Sequence, residues 1–153
     1  MNRRVFSQSF FSLSIFSPPL ILLLLLTGCA GMSDPRDNAI VLTPGQPFEV
    51  MSTGMRYFTF TLQEPARVVL ESETFPWDTA LGAPAGQLLD TNGVVVERDW
   101  HSGIDGNFRI DRQLAAGTWY LRVTTPYAGP PHGFIDRDYR YSVLLRVDNN
   151  AWE

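Results

Sequence analysis

Apolar and polar residues alternate with a period of two through most of the chain beyond residue 39. Phe58, Phe60 and Leu62 fall on one side of such a segment, and threonines fall on the other. Because successive side chains of a strand point to opposite faces of the sheet, this pattern predicts half-buried β-strands. Similar or shorter patterns recur at 40–42, 48–51, 67–71, 87–90, 94–97, 108–111, 119–123 and 141–147. No window of a dozen residues carries the 3.6-residue apolar stripe of an amphipathic helix.

Turn signals separate these runs. Asn92-Gly93 is a pair that favours the positive φ angles of a tight hairpin, and the segments 43–45 and 115–117 also contain glycine. Seven to nine short strands with turns at this spacing predict an all-β fold, an antiparallel sandwich or barrel. We expect this domain to span residues 39–150.

The N-terminal segment has the parts of an export signal. Arg3 and Arg4 precede a strongly apolar run that ends in Leu-Thr-Gly, followed by Cys29, the single cysteine of the chain. This end resembles the lipobox of bacterial lipoproteins. The resemblance implies that residues 1–28 are removed, that Cys29 is acylated, and that residues 29–38 form a flexible tether. The alternatives are a plain signal peptide and a membrane-spanning anchor.

The charge balance excludes one class of partner. All twelve basic residues are arginine, and without residues 1–28 ten arginines face sixteen acidic side chains, a formal net charge of −6. A phosphate-binding surface needs clustered basic charge. We therefore expect no nucleic acid as a partner.

The order of motifs resembles the bacterial pre-peptidase C-terminal domains and the related collagen-binding modules of secreted proteases. The strongest match is the segment 114–123, which reads Leu-Ala-Ala-Gly-Thr-Trp-Tyr-Leu-Arg-Val. The other matching segments are 57–62, 66–70, 77–81, 88–93, an acidic loop beginning at residue 99, and 139–143. The resemblance covers about residues 55–148 and implies a jelly-roll-like β-sandwich without catalytic activity.

Some members of that family bind calcium through acidic loops, and the resemblance implies Asp78, Asp99 and Asp105 as candidate ligands. The chain departs from the family pattern by an insertion at residues 79–86 and by Trp100 in place of the second aspartate of the acidic loop. Calcium needs six to eight oxygen ligands. The alternative is that these aspartates form Asx turns at the ends of hairpins. His101 and His132 do not have the spacing of a zinc site.

Two loops, 99–107 and 125–138, are the expected binding segments, because long loops on a rigid sandwich commonly carry function. The candidate residues for contact with a ligand or a partner are Trp77, Trp100, His101, Tyr127 and His132. The chain has no Gly-x-Ser-x-Gly motif, and we expect no enzymatic activity.

The expected function is therefore a non-catalytic binding domain on a cell-envelope lipoprotein, an accessory or assembly subunit that docks a protein partner. The alternative is a glycan- or matrix-binding module, with calcium as a possible cofactor. Ala30 follows the cysteine, and under the sorting behaviour of Gram-negative lipoproteins this residue implies the outer membrane.

Overall fold

The computed structural model describes residues 33–51, 53–75, 82–126 and 139–149. The predictions for Cys29, Trp77, Asp78, Tyr127 and His132 lie outside these residues. Within the described residues, no helix is both long enough and apolar enough to cross a membrane.

The described residues form nine strands and two short 3-10 helices. The strands are β1 (Ile40–Val41), β2 (Phe48–Val50), β3 (Met55–Leu62), β4 (Ala66–Thr74), β5 (Ala85–Leu89), β6 (Val95–Asp99), β7 (Arg109–Leu114), β8 (Gly117–Thr124) and β9 (Tyr141–Asp148). The 3-10 helices are Pro35–Asn38 and Ile104–Gly106.

The strands form two sheets that pack face to face. The five-stranded sheet has the order β1-β3-β8-β5-β6, and the four-stranded sheet has the order β2-β9-β4-β7. Every pairing is antiparallel except that of β1 with β3, which is parallel. The predicted all-β antiparallel sandwich is confirmed.

The core lies between the two sheets. Phe58, Phe60 and Leu62 on β3 are buried, as their alternation predicts, and they face Leu70 and Leu145 of the other sheet within one hydrophobic cluster. The remaining members of this cluster are Leu42, Val50, Ala66, Val68, Leu88, Phe108, Ile110, Leu114, Leu121, Val123, Tyr139, Tyr141 and Val143. Burial of these apolar side chains stabilises the sandwich.

The predicted hairpin at Asn92-Gly93 joins β5 to β6. Gly93 has a φ of +80°, and its N–H donates to the carbonyl of Asp90 at 3.0 Å. The Asp90 carboxylate accepts from the N–H groups of Asn92 and Val94 at 2.9 and 2.8 Å. The turn therefore lies at one end of β6, which we call the turn end, whereas the segment 99–107 leaves the opposite end, the loop end.

Candidate functional site

The 99–107 loop joins β6 of one sheet to β7 of the other and is folded around the carboxylate of Asp99. This carboxylate accepts hydrogen bonds from the backbone N–H groups of His101 and Ser102, both at 2.9 Å, and from the Ser102 hydroxyl. The same hydroxyl also contacts the carbonyl of Arg109 at 3.1 Å. Asp99 thus forms an Asx turn that fixes the start of the loop.

The ionisation of Asp99 follows from these contacts. Partial burial of its carboxyl group, the largest effect, would raise the pKa, because burial penalises the charged form. The hydrogen bonds from Ser102 and His101 together outweigh it and hold the pKa of Asp99 below its usual value. The carboxylate therefore stays charged at neutral pH and keeps accepting these bonds.

Asn107 fixes the other end of the loop from inside the protein. Its side chain is buried, and its Oδ1 accepts from the hydroxyls of Ser72 at 2.9 Å and Thr74 at 2.8 Å. Its Nδ2 donates to the carbonyl of Ile104 at 3.0 Å, and the Asn107 N–H donates to the same carbonyl at 3.1 Å. The loop is consequently tied to β4 at its base.

Between these two anchors the loop presents apolar side chains to solvent. The exposed fraction is 84% for Ile104 and 57% for Trp100. Asp105, next to Ile104, has a φ of +54°, which a residue with a side chain adopts at a cost of about 1 kcal/mol or more. The hydrogen bonds at both ends of the loop hold this conformation.

A groove of about 1000 Å³ runs from this loop across the outer face of the four-stranded sheet. The loop contributes Ser102, Gly103, Ile104, Asp105 and Asn107. The sheet and its margin contribute Pro47, Glu71, Ser72, Glu73, Thr74, Arg109, Ser142, Leu144 and Arg146. The groove is therefore bounded at the loop end by the most exposed large apolar side chain of the described residues, that of Ile104.

A chain of ion pairs crosses the floor of this groove and continues toward the turn end. Glu71 binds Arg109 at 2.8 Å and Arg146 at 2.6 Å. Asp111 binds Arg67 through two hydrogen bonds of 2.8 Å and lies 3.4 Å from Arg109. The bond from Arg67 is the main reason that the pKa of Asp111 lies below its usual value. These pairs make the floor of the groove a charged and ordered surface.

The opposite face of the sandwich holds the segment that precedes β1. The Arg36 guanidinium lies over the ring of Tyr120, 5.3 Å from its centroid, and donates to the carbonyl of Thr91 at 2.9 Å. It also donates from Nε to Asp34 at 3.0 Å, which lowers the pKa of Asp34 to about 2. We call this set of contacts the Arg36 clamp. It lies on the outer face of the five-stranded sheet, so the clamp and the groove are on opposite faces.

The predicted site residues inside the described part of the chain are Asp99, Trp100, His101 and Asp105. The structure brings Asp105 to the groove and leaves Trp100 and His101 exposed on the same loop. Among the described residues, no three His, Cys, Asp or Glu side chains are grouped so that they could hold a metal ion. Calcium ligation by Asp78, Asp99 and Asp105 stays a prediction, since Asp78 lies outside the described residues.

The two large apolar side chains that line the groove, those of Ile104 and Leu144, were not predicted as site residues. Ile104 sits in a polar loop, where one isoleucine between two glycines gives no periodic signal. Leu144 interrupts the polar side of the β9 alternation. This interruption is the sequence signal that could have pointed to an apolar contact surface on the outer face of the strand.

Comparison with known proteins supports the fold. No protein-family model matches the sequence, and no curated protein matches it. One similar solved structure is the pre-peptidase C-terminal domain of a collagenase from Bacillus anthracis. It is 12% identical, with a TM-score of 0.52, and the alignment covers 71% of this chain and 94% of that domain. The two share one fold.

A second solved structure is that of PliG from Aeromonas hydrophila, a periplasmic inhibitor of g-type lysozyme. It is 7% identical, the alignment covers 72% of this chain and 96% of that one, and the TM-score is 0.47. A TM-score this low supports no inference about this chain. The first comparison agrees with the resemblance found in the motif order and extends it to the three-dimensional fold.

Proposed function

We propose that this protein is an exported, lipid-anchored and non-catalytic binding module that docks a protein partner at the cell envelope. The docking surface consists of the 99–107 loop and the adjoining groove. The observation that carries the proposal is the Ile104 side chain, which a hydrogen-bonded loop holds 84% exposed.

An exposed isoleucine on a flexible loop would have no functional implication, because single apolar residues on protein surfaces are common. The 99–107 loop differs because Asp99 and Asn107 fix both of its ends. A loop that is fixed at both ends loses little backbone entropy when a partner covers it, so more of the burial energy contributes to affinity. Ile104 and Trp100 therefore have the properties of preformed anchor residues.

The anchoring part of the proposal rests on Cys29 and on the Arg36 clamp. Two or three acyl chains hold a protein on a membrane in an effectively permanent way, because each buried CH₂ contributes about 0.8 kcal/mol. The clamp ties Asp34 and Arg36, which lie within the segment 29–38 expected to be the tether, to the face opposite the groove. An anchor attached on that side would keep the groove free for a partner.

The anchor is tested separately from the docking surface. Cells grown with labelled palmitate should give a labelled protein, and Cys29→Ser should remove the label and release the protein from the membrane fraction. Recovery of the wild type with the inner membrane would contradict the outer-membrane assignment that Ala30 suggests. An unlabelled wild-type protein would contradict lipidation itself.

Docking is tested by photo-crosslinking in the native cell. Probes at Ile104 and Trp100 should give the same dominant protein adduct, identified by mass spectrometry. A control probe at Thr61, which is exposed on the outer face of the five-stranded sheet, should not give it. Different adducts at the two loop positions, or the same adduct at all three positions, would contradict a docking surface at this loop.

Trp100 favours a second candidate, a glycan- or matrix-binding module, because exposed tryptophan is a common platform for ligands. In that case Trp100→Ala should abolish binding to polysaccharide without changing the melting temperature. A calcium titration of the full chain, followed by the melting temperature, tests whether calcium assists. Crosslinking to protein, together with polysaccharide binding that Trp100→Ala does not alter, would exclude this candidate.

A further inference from the structure

We infer that the segment of the partner that enters the groove is cationic, with arginine or lysine side chains next to an apolar residue. This inference rests on the proposed docking function and specifies the chemistry of the partner. Three carboxylates carry it, two that line the groove and one on the neighbouring strand β2, together with the apolar side chains of the groove.

Glu49, Glu73 and Asp105 are the three carboxylates. Glu73 on β4 and Glu49 on β2 are both paired in register with Ser142 of β9, so the two glutamates lie two strand spacings apart, about 10 Å. Asp105 comes from the loop and lines the same groove as Glu73. Glu49 and Glu73 lie at the loop end of the four-stranded sheet, and Asp105 lies on the loop beside it.

These carboxylates lack partners within the part of the chain that the structure describes, where none of the three takes part in a hydrogen bond or an ion pair through its side chain. The two arginines that line the groove, Arg109 and Arg146, are both bound to Glu71. The groove is lined by three carboxylates, those of Glu71, Glu73 and Asp105, and by two arginines, which is a net charge of −1. The two carboxylates that remain for a partner, Glu73 and Asp105, are both negative. Cationic groups would be attracted here, and anionic ones repelled.

A single metal ion would not bind all three carboxylates, because they are too far apart. The described acidic residues form no group that could hold a metal, and a spacing of about 10 Å between two glutamates suits separate cationic groups along a polypeptide better. Nucleic acid and anionic lipid headgroups are negatively charged, so these carboxylates would repel them. An extended cationic segment can instead place successive basic side chains against successive carboxylates.

Apolar side chains lie beside these carboxylates and would contact the apolar residue of the segment. Ile104 stands at the loop end of the groove, and Leu144 and Pro47 line it next to the row of Glu71 and Arg109. The volume of about 1000 Å³ is at the upper end of the range for small-molecule pockets. It suits a segment of several residues in which basic and apolar side chains are interspersed.

The test uses the full lipidated chain in detergent and two defined peptides. One is Leu-Arg-Ser-Leu-Arg-Ser with capped ends, and the other carries glutamate in place of both arginines. We expect only the arginine peptide to bind, more weakly as the salt concentration rises. Glu73→Gln should weaken binding about three- to fivefold, the effect of one solvent-accessible ion pair.

Glu64→Gln is the matched control. It removes the same charge from the exposed turn before β4, whereas Glu73 lies near the other end of that strand. Equal binding of the two peptides, binding of neither peptide, or equal effects of Glu73→Gln and Glu64→Gln would overturn the inference.

The inference and the proposed function fail in different ways. A specific adduct at Ile104 and Trp100 whose yield does not change with Glu73→Gln would leave docking intact and overturn the cationic partner. Binding of the arginine peptide that depends on Glu73, without any adduct at the loop probes, would support the charge match and contradict docking of a protein in the cell.

Discussion

Replacement of Asn107 by alanine tests whether the buried amide is what holds the 99–107 loop. The change removes the acceptor of the Ser72 and Thr74 hydroxyls and the donor to the Ile104 carbonyl. Each lost hydrogen bond contributes about 1 kcal/mol, and two buried hydroxyls that keep no acceptor add about 1 kcal/mol or more. We expect Asn107→Ala to lower the free energy of unfolding by about 4 kcal/mol.

The assay is urea denaturation of wild type and variant, followed by tryptophan fluorescence. For a domain of this size, about 4 kcal/mol corresponds to a fall in Tm of about 12–16 °C, which calorimetry can check. Asn92→Ala is the control, since Asn92 is an exposed turn residue, and its free energy of unfolding should change by less than about 0.5 kcal/mol.

A double variant separates a stranded hydroxyl from the loss of packing. Adding Thr74→Val to Asn107→Ala removes one hydroxyl that lacks an acceptor, and it should recover about 0.5 kcal/mol. Ser72 is left unchanged, because its hydroxyl also accepts from the Phe108 N–H. A loss below about 1 kcal/mol for Asn107→Ala would refute the reasoning, because it would mean that the loop keeps its conformation without the amide.

Three further changes test other parts of the fold. Gly86→Ala should destabilise by about 1–3 kcal/mol, because a Cβ there would lie 2.7 Å from the buried ring of Phe108; an unchanged urea midpoint would contradict this packing. Asp105→Gly should raise the melting temperature, because glycine adopts a φ of +54° without strain; a lower melting temperature would show that the aspartate side chain stabilises the loop. The lowered pKa of Asp111 means that its ion pair with Arg67 stabilises the fold above pH about 4 and that this contribution is lost as the pH falls further. Asp111→Asn should therefore make the stability less dependent on pH in that range, and an identical acid profile for variant and wild type would contradict the assignment.

The elements of the fold that are set by residues close together in the chain could be predicted from the sequence. Phe58, Phe60 and Leu62 alternate with threonines because one face of β3 packs on the core. Asn92-Gly93 marks the hairpin because glycine readily adopts the positive φ that the turn needs. Both signals are local, and both are confirmed.

The groove could not be predicted in this way, because it depends on which strands become neighbours. Glu71, Arg109 and Arg146 come from three separate strands, and only the order β9-β4-β7 brings them together. Asn107 is a similar case. It ends the 99–107 loop that the sequence predicts as a binding segment, and its burial follows from contacts with Ser72 and Thr74, more than thirty residues earlier in the chain.

The Arg36 clamp has a mechanical consequence. A pull on the chain from its N-terminal side meets the stacked guanidinium on Tyr120 and its bond to Thr91 before it reaches the two-residue pairing of β1 with β3. These contacts are few and lie at the surface, whereas the sandwich beyond them is held by long antiparallel ladders. Under tension the clamp and β1 should therefore detach first and add their residues to the extended segment before β2, while the four-stranded sheet that carries the groove stays folded.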